Sequence, residues 1–243
     1  MKHYNLFLAI LAALFVAMVC SAGRPAGTTV ASAPAVDTFT YNLPCQVINI
    51  HSELPGKAIL LLWLHGGVRH RAIHSYFTHP NHWDNCAADD SIVNYLNSHN
   101  IKAVALLPMC HRADAEGCIA WRDCYADVKV MIDEYVSRGL VDPARIYLAG
   151  SSDGGRGAWD YAAEHPEMFA AAISMSCEEP RMVSIPVYFF STAAEGDCSE
   201  QVAVLQAQGA TIVEYEYCRE MGHGGDAARC TPQLLDRFFA HRK

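Results

Sequence analysis

Positive charge is scarce in this chain of 243 residues: 18 Lys and Arg stand against 26 Asp and Glu, and no more than two basic residues are ever adjacent. A nucleic-acid surface needs clustered cations to displace condensed counterions, so no nucleic-acid partner is expected. Long apolar runs are missing too. The longest, Leu6 to Val19, has 14 residues, short of the roughly 20 that a membrane-spanning helix needs. No Cys-x-x-Cys pair occurs, which removes the usual ligand spacing of a structural zinc site. Charged residues make up only 18% of the chain and apolar ones 51%, a balance that excludes a disordered or coiled-coil chain and suits one large core.

What is present begins with a leader. A cationic start at Lys2, the apolar run, and small residues at Cys20-Ser21-Ala22 read as a secretory signal peptide over residues 1–22 cleaved near Ala22. Residues 23–35 are Ala, Thr, Pro and Gly without apolar period and read as a flexible segment. The folded domain is then expected over 36–243, in a secreted or periplasmic protein. Export also gives the cysteines a purpose. Nine remain after cleavage at that point, and disulfides are the expected use of so many in an oxidising compartment. An odd count leaves at least one outside intrachain pairs. Local spacing suggests Cys218 with Cys230, closing the loop around His223, and Cys110 with Cys118.

From about residue 38 onward, short apolar runs alternate with helical stripes. Thr38 to Leu43 and Gln46 to Ile50 alternate like antiparallel edge strands. Ala58 to Leu64, Lys102 to Leu107 and Arg145 to Ala149 are continuous apolar runs, as in strands buried on both faces. Helices are predicted at 91–98, 123–138, 155–165, 201–208 and 232–241, with further strands at 171–174, 186–191 and 211–217. The alternation implies an α/β architecture, a mostly parallel central sheet with helices on both faces.

Directly after the third buried run stands Gly150-Ser151-Ser152-Asp153-Gly154, a G-x-S-x-G pattern between a strand and a helix. Such a turn exposes its central Ser, and its glycines admit a close approach of backbone. Ser152 is the candidate nucleophile. The stretch from Val141 through Trp159, continued by Ala163-Glu164-His165-Pro166, resembles the α/β-hydrolase superfamily, and within it the secreted esterases related to polyhydroxybutyrate depolymerases, feruloyl esterases and predicted serine peptidases. The resemblance covers the chain from about Ala58 to its end. It implies an eight-strand-type sheet and a Ser, acid, His triad in that chain order.

A serine hydroxyl needs a base within hydrogen-bond reach and a carboxylate to orient that base. His223, in Met221-Gly222-His223-Gly224-Gly225 beyond the last strand, is the candidate base; His65, His165 and His241 are less well placed. Glu195 is the candidate acid and Asp197 the alternative, since both follow the run at 186–191. The oxyanion donors expected by this resemblance are the backbone N–H groups of Asp153 and of Gly67, in the His65-Gly66-Gly67 turn. His65, His70, His74, His79 and His82 are dense, yet no carboxylate or Cys is interspersed among them at metal-like spacing, so a polar loop is expected and no metal. Tyr76, Phe77, Trp83 and Trp121 are candidates for an aromatic substrate wall or, equally, for packing among themselves.

The function these residues suggest is a serine hydrolase cleaving carboxylic esters of a small or polymer-linked substrate, without a cofactor. Two alternatives stay open: a serine peptidase of the same fold, and a binding protein that keeps the fold without the chemistry.

Overall fold

The computed structural model describes residues 43–67, 87–110 and 119–243. The expected leader at 1–35, most of the strand at 38–43, His70, His74, His79, His82, Tyr76, Phe77, Trp83, Cys86 and Cys118 all lie outside the described residues.

The continuous apolar runs become the middle of a sheet. Strands β1 (Cys45–Ile50), β2 (Ala58–Leu64), β3 (Ala103–Pro108), β4 (Val141–Ser151), β5 (Ala171–Met175), β6 (Val187–Thr192) and β7 (Ile212–Cys218) form one sheet in the order β1-β3-β2-β4-β5-β6-β7. Only β1 is antiparallel to its neighbour; the other pairs are parallel. Seven strands are thus seen among the described residues, where the resemblance implied an eight-strand type. β4 is longer than its apolar stretch: it begins at Val141, which pairs with Ala58 before a register shift.

The reason β2 reads as AILLLWL lies in the helices on both sides. Alternate residues Leu60, Leu62 and Leu64 enter one core with α2 (Tyr125–Ser137) and α3 (Asp153–Glu164), while Ile59, Leu61 and Trp63 enter the other with α1 (Ala87–Ser98) and α5 (Pro232–Ala240). Both faces being covered, no position tolerates a polar side chain. The remaining helix, α4 (Ser199–Ala207), adds Val202 to the first core. α5 shows how a short helix is fixed at its start and along one face. Thr231 caps it by accepting the Leu234 N–H, Pro232 occupies the first turn, and Leu234, Leu235, Phe238 and Phe239 are buried, as an N-cap, an N1 proline and an apolar stripe should arrange.

Parallel pairing also sets where chemistry can occur. Leu64 pairs with Gly150, Ser151 with Met175, and Thr192 with Cys218, so the carboxyl ends of five strands lie along one edge of the sheet. Loops leaving that edge converge, which is why ligands of open α/β sheets bind there.

Seating α3 against this edge demands glycine. A Cβ on Gly154 would overlap the Leu64 and His65 carbonyl oxygens, and one on Gly155 the Met175 carbonyl. Because the obstacles are backbone, no rotamer change relieves them. Gly154→Ala is therefore expected to lower stability by about 3 kcal/mol, at the upper end of overpacking costs, as read from urea denaturation midpoints.

Candidate active site

Ser152 is the hinge between β4 and α3. Its backbone has φ 60° and ψ −126°, a region that costs a non-glycine residue about 1–3 kcal/mol. The strain is held by its surroundings: the Ser152 N–H donates to the Met175 carbonyl at 2.9 Å, and a Cβ at Gly66 would come within 2.9 Å of the Ser152 Cβ. The side chain consequently projects off the sheet edge.

There it meets the imidazole of His223. Nε2 of His223 lies 2.9 Å from Ser152 Oγ, and Nδ1 lies 2.5 Å from Glu195 Oε1. Of the two candidate carboxylates, the structure brings Glu195 to the imidazole and leaves Asp197 apart. Asp197 accepts from the Ser199 N–H at 2.9 Å and the Tyr215 hydroxyl at 3.2 Å, and so is tied to the first residue of α4 and to β7. The other oxygen of Glu195, Oε2, accepts from the Thr192 N–H at 2.9 Å and its hydroxyl at 2.5 Å. Burial alone would raise the Glu195 carboxyl, but hydrogen bonds from Thr192 and His223 outweigh it and hold the group below the usual carboxylate range. The loops are tied to one another as well, since the Ala193 N–H donates to Met221 O at 3.1 Å.

Around Ser152 Oγ opens a cleft of about 220 Å³ lined by Ser152, Arg156, Ser176, Glu178, Ala194 and His223, with Asp153, Cys177 and Glu195 completing its wall. Asp153 opens α3, so its N–H is one of the donors a helix start leaves without an intrahelical partner. Its carboxylate turns away to accept the Ile119 N–H at 2.9 Å and stands 3.6 Å from Arg156. Gly67 lies close by: a Cβ added there would be 3.0 Å from Asp153 Oδ2. Among the described residues no group of three or more His, Cys, Asp or Glu could hold a metal ion.

No protein-family model matches the sequence, and no curated protein matches it significantly. Solved structures do. A thermostable esterase superposes with a TM-score of 0.65 at 18% identity, over 88% of this chain and 64% of that one, so this chain spans just under two thirds of its length. The feruloyl esterase module of Clostridium thermocellum, in complex with sinapinate, gives 0.62 at 11% identity over 90% and 94%. The fluorophosphonate-binding serine hydrolase F of Staphylococcus aureus gives 0.55 at 14% over 81% and 92%. At such identities the likeness speaks for the fold. The chain has the α/β-hydrolase fold.

Within this fold His65 is no rival base. It is 6% exposed, its Nδ1 donates to the Gly66 carbonyl at 2.7 Å, and its Nε2 accepts the Cys110 N–H at 3.0 Å. Burial lowers its pKa, so it stays neutral in the tautomer these two bonds require. Trp121, a candidate for a substrate wall, packs instead beneath the turn. It is 2% exposed, donates to the His65 carbonyl at 3.0 Å, and its ring blocks any Cβ at Gly157. His165 and His241 stay away from the cleft: His165 ends α3, and His241 contacts the Tyr188 hydroxyl.

The cysteines correct another expectation. No disulfide joins Cys218 to Cys230; both are buried thiols. Cys218 Sγ accepts from Arg229 Nε at 3.5 Å, and Cys230 Sγ faces Met175 Sδ at 3.8 Å. The spacing in sequence was suitable, but the intervening residues 225–229 wind into a 3-10 turn that gives each sulfur a different neighbour. The sulfurs that do approach are those of Cys110 and Cys124, 2.9 Å apart. Peptide mapping of oxidised, unreduced protein should therefore yield a Cys110–Cys124 linkage and no Cys218–Cys230 linkage.

A pH dependence follows from Glu195. A carboxyl whose folded pKa is lowered contributes stability above its unfolded pKa and loses it as pH falls through the lower, folded value. Wild-type protein should thus lose more stability than Glu195→Gln between neutral pH and the acid side of the carboxylate range, as measured by urea midpoints across that range.

Proposed function

We propose that this protein is a serine hydrolase that cleaves carboxylic esters through an acyl-enzyme on Ser152. The observation that carries this reading is the unbroken line Ser152 Oγ, His223 Nε2, His223 Nδ1, Glu195 Oε1, with spacings of 2.9 and 2.5 Å, on a serine held at φ 60°. Each link has a chemical task. His223 takes the hydroxyl proton as Ser152 Oγ adds to the ester carbonyl, then returns that proton to the leaving alcohol. Glu195 fixes the imidazole with Nδ1 protonated and balances the imidazolium charge while it lasts. Water repeats the sequence in reverse, freeing the acid. The oxyanion formed in both halves is received by the N–H of Asp153, at the positive end of α3, and by the N–H of Gly67. No step calls for a cofactor.

Esters are favoured as substrates by the company the fold keeps: the thermostable esterase and the feruloyl esterase module both superpose on this chain. The reading further holds that the chain is exported, on the strength of the amino-terminal apolar run and the small residues that follow it.

The test is covalent labelling by a fluorophosphonate together with turnover of p-nitrophenyl esters. Ser152→Ala should abolish both in a folded protein. Glu195→Gln should lower kcat by up to about 10⁴-fold, as loss of the orienting carboxylate does in such triads, whereas Asp197→Asn should leave kcat within about twofold, the scale of a surface substitution. Turnover retained by folded Ser152→Ala would defeat the reading, and cleavage of peptide amides in preference to esters would turn it towards a peptidase.

A further inference from the structure

The base sits on a loop that ought to be loose. His223 is flanked by Gly222, Gly224 and Gly225, and its side chain is 54% exposed. Glycine on both sides gives the backbone more freedom than any other residue would, and no covalent bond closes the loop among its described cysteines. Yet catalysis by proton transfer needs Nε2 within hydrogen-bond reach of Oγ.

What holds it is a buried carboxylate that the triad does not use. Asp226, three residues past His223, has no exposed surface. Its Oδ2 accepts the Ser176 N–H at 2.6 Å, and its Oδ1 accepts the Ser176 hydroxyl at 2.5 Å. The same hydroxyl oxygen accepts the N–H of Gly224 at 2.8 Å, the residue directly after the base. Ser176 is itself in the left-handed region, with φ 47°, a conformation unfavourable for serine that these bonds sustain. It follows Met175, whose carbonyl receives the Ser152 N–H. The end of β5 therefore carries the nucleophile's backbone on one residue and the base's backbone on the next.

We infer that Asp226 and Ser176 are positioning residues: together they brace Gly224, and through it set the distance from His223 to Ser152. The inference rests on the proposed role of His223, and it adds a part to that machinery. Asp226 is acidic for a reason of valence. Two donors converge on it from one residue, and an amide in its place would turn an NH₂ toward one of them. Burial pushes the Asp226 carboxyl up, against the Ser176 hydrogen bonds that lower it, and the nearby Glu195 charge adds to the rise. With the carboxylate so occupied, Asp226 does not compete with Glu195 for the imidazole.

The experiment uses the full chain with two single variants. Ser176→Ala removes the hydroxyl that links Asp226 to Gly224, while Asp226→Asn keeps the shape and spoils one acceptor. Because a displacement of about 1 Å in a reacting group costs on the order of a hundredfold, each variant should lose about ten- to a hundredfold in kcat on a p-nitrophenyl ester, with KM changed less than about twofold. A second readout separates positioning from mere stability. The groups facing His223 are Glu195 at Nδ1, Ser152 at Nε2, and Asp153, Arg156 and Glu178 across the cleft. Of these, Glu195 shares the Nδ1 proton of His223, so a slackened loop lengthens that contact and the downfield NMR resonance of the Nδ1 proton should weaken or vanish in both variants.

A fall in melting temperature with kcat and that resonance unchanged in both variants would overturn the inference. Failure of the function itself looks different: wild-type protein would then show neither ester turnover nor fluorophosphonate labelling. In that event the downfield Nδ1 proton resonance of His223, compared by NMR in wild type and Ser176→Ala, still decides the point. The same resonance in the two proteins would overturn the brace, and its loss in the variant would support it.

Discussion

Everything at this site depends on how closely one helix approaches the sheet edge. α3 starts so near the ends of β2 and β5 that the carbonyls of Leu64, His65 and Met175 leave no room for a Cβ at Gly154 or Gly155. That approach forces the chain to reverse direction within one residue, and the residue is Ser152, at φ 60°. The cost of that conformation is met by packing that cannot relax without unseating α3, whose Trp159, Tyr161 and Ala162 are fully buried in the core. A local strain of about 1–3 kcal/mol is thus maintained by apolar burial several times larger. Ser152 projects from the sheet edge because the helix behind it is not free to move.

Of the acidic side chains around the His223 imidazole, three are told apart by the partners they already have. Glu195 has its second oxygen filled by Thr192 and presents the first to His223. Asp226 has both oxygens taken by Ser176. Asp153 is turned toward Ile119 and Arg156. A carboxylate already supplied with donors has little to gain from a further contact, so the hydrogen bonds already in place decide which group meets the imidazole.

How much of this was legible in the sequence follows from the range of each interaction. Strands β2, β3 and β4 announce themselves because burial on both faces leaves a continuous apolar string. Ser152 is legible because its constraint is local, a strand, a tight turn and a helix within a dozen residues. Glu195 and Asp197 could not be separated, since the difference lies in partners: Thr192 turns one inward, and Ser199 with Tyr215 turns the other aside. The support that Trp121 gives the His65 turn was invisible for a similar reason. Trp121 reaches the His65 carbonyl across 56 positions of sequence, and no spacing rule covers that interval. Asp226 left one faint signal, an acidic residue in a glycine-rich stretch beside a candidate base, but its meaning required Ser176, 50 positions away.

The same reasoning explains how a half-exposed histidine on a glycine-rich loop is held beside Ser152 without a covalent clamp. A disulfide between Cys218 and Cys230 would restrict the loop mainly by lowering the entropy of the unfolded chain, which does nothing to choose among positions the folded loop could adopt. Hydrogen bonds from two neighbouring loops do choose. Ala193 donates to Met221 before the histidine, Ser176 accepts from Gly224 after it, and Glu195 holds the ring between them. Each of these partners is itself fixed to the ends of β5 and β6, the first and second strands out from the one that delivers Ser152. Position is therefore measured from the sheet rather than along the loop, and the glycines around His223 supply the freedom the backbone needs to meet all three constraints at once.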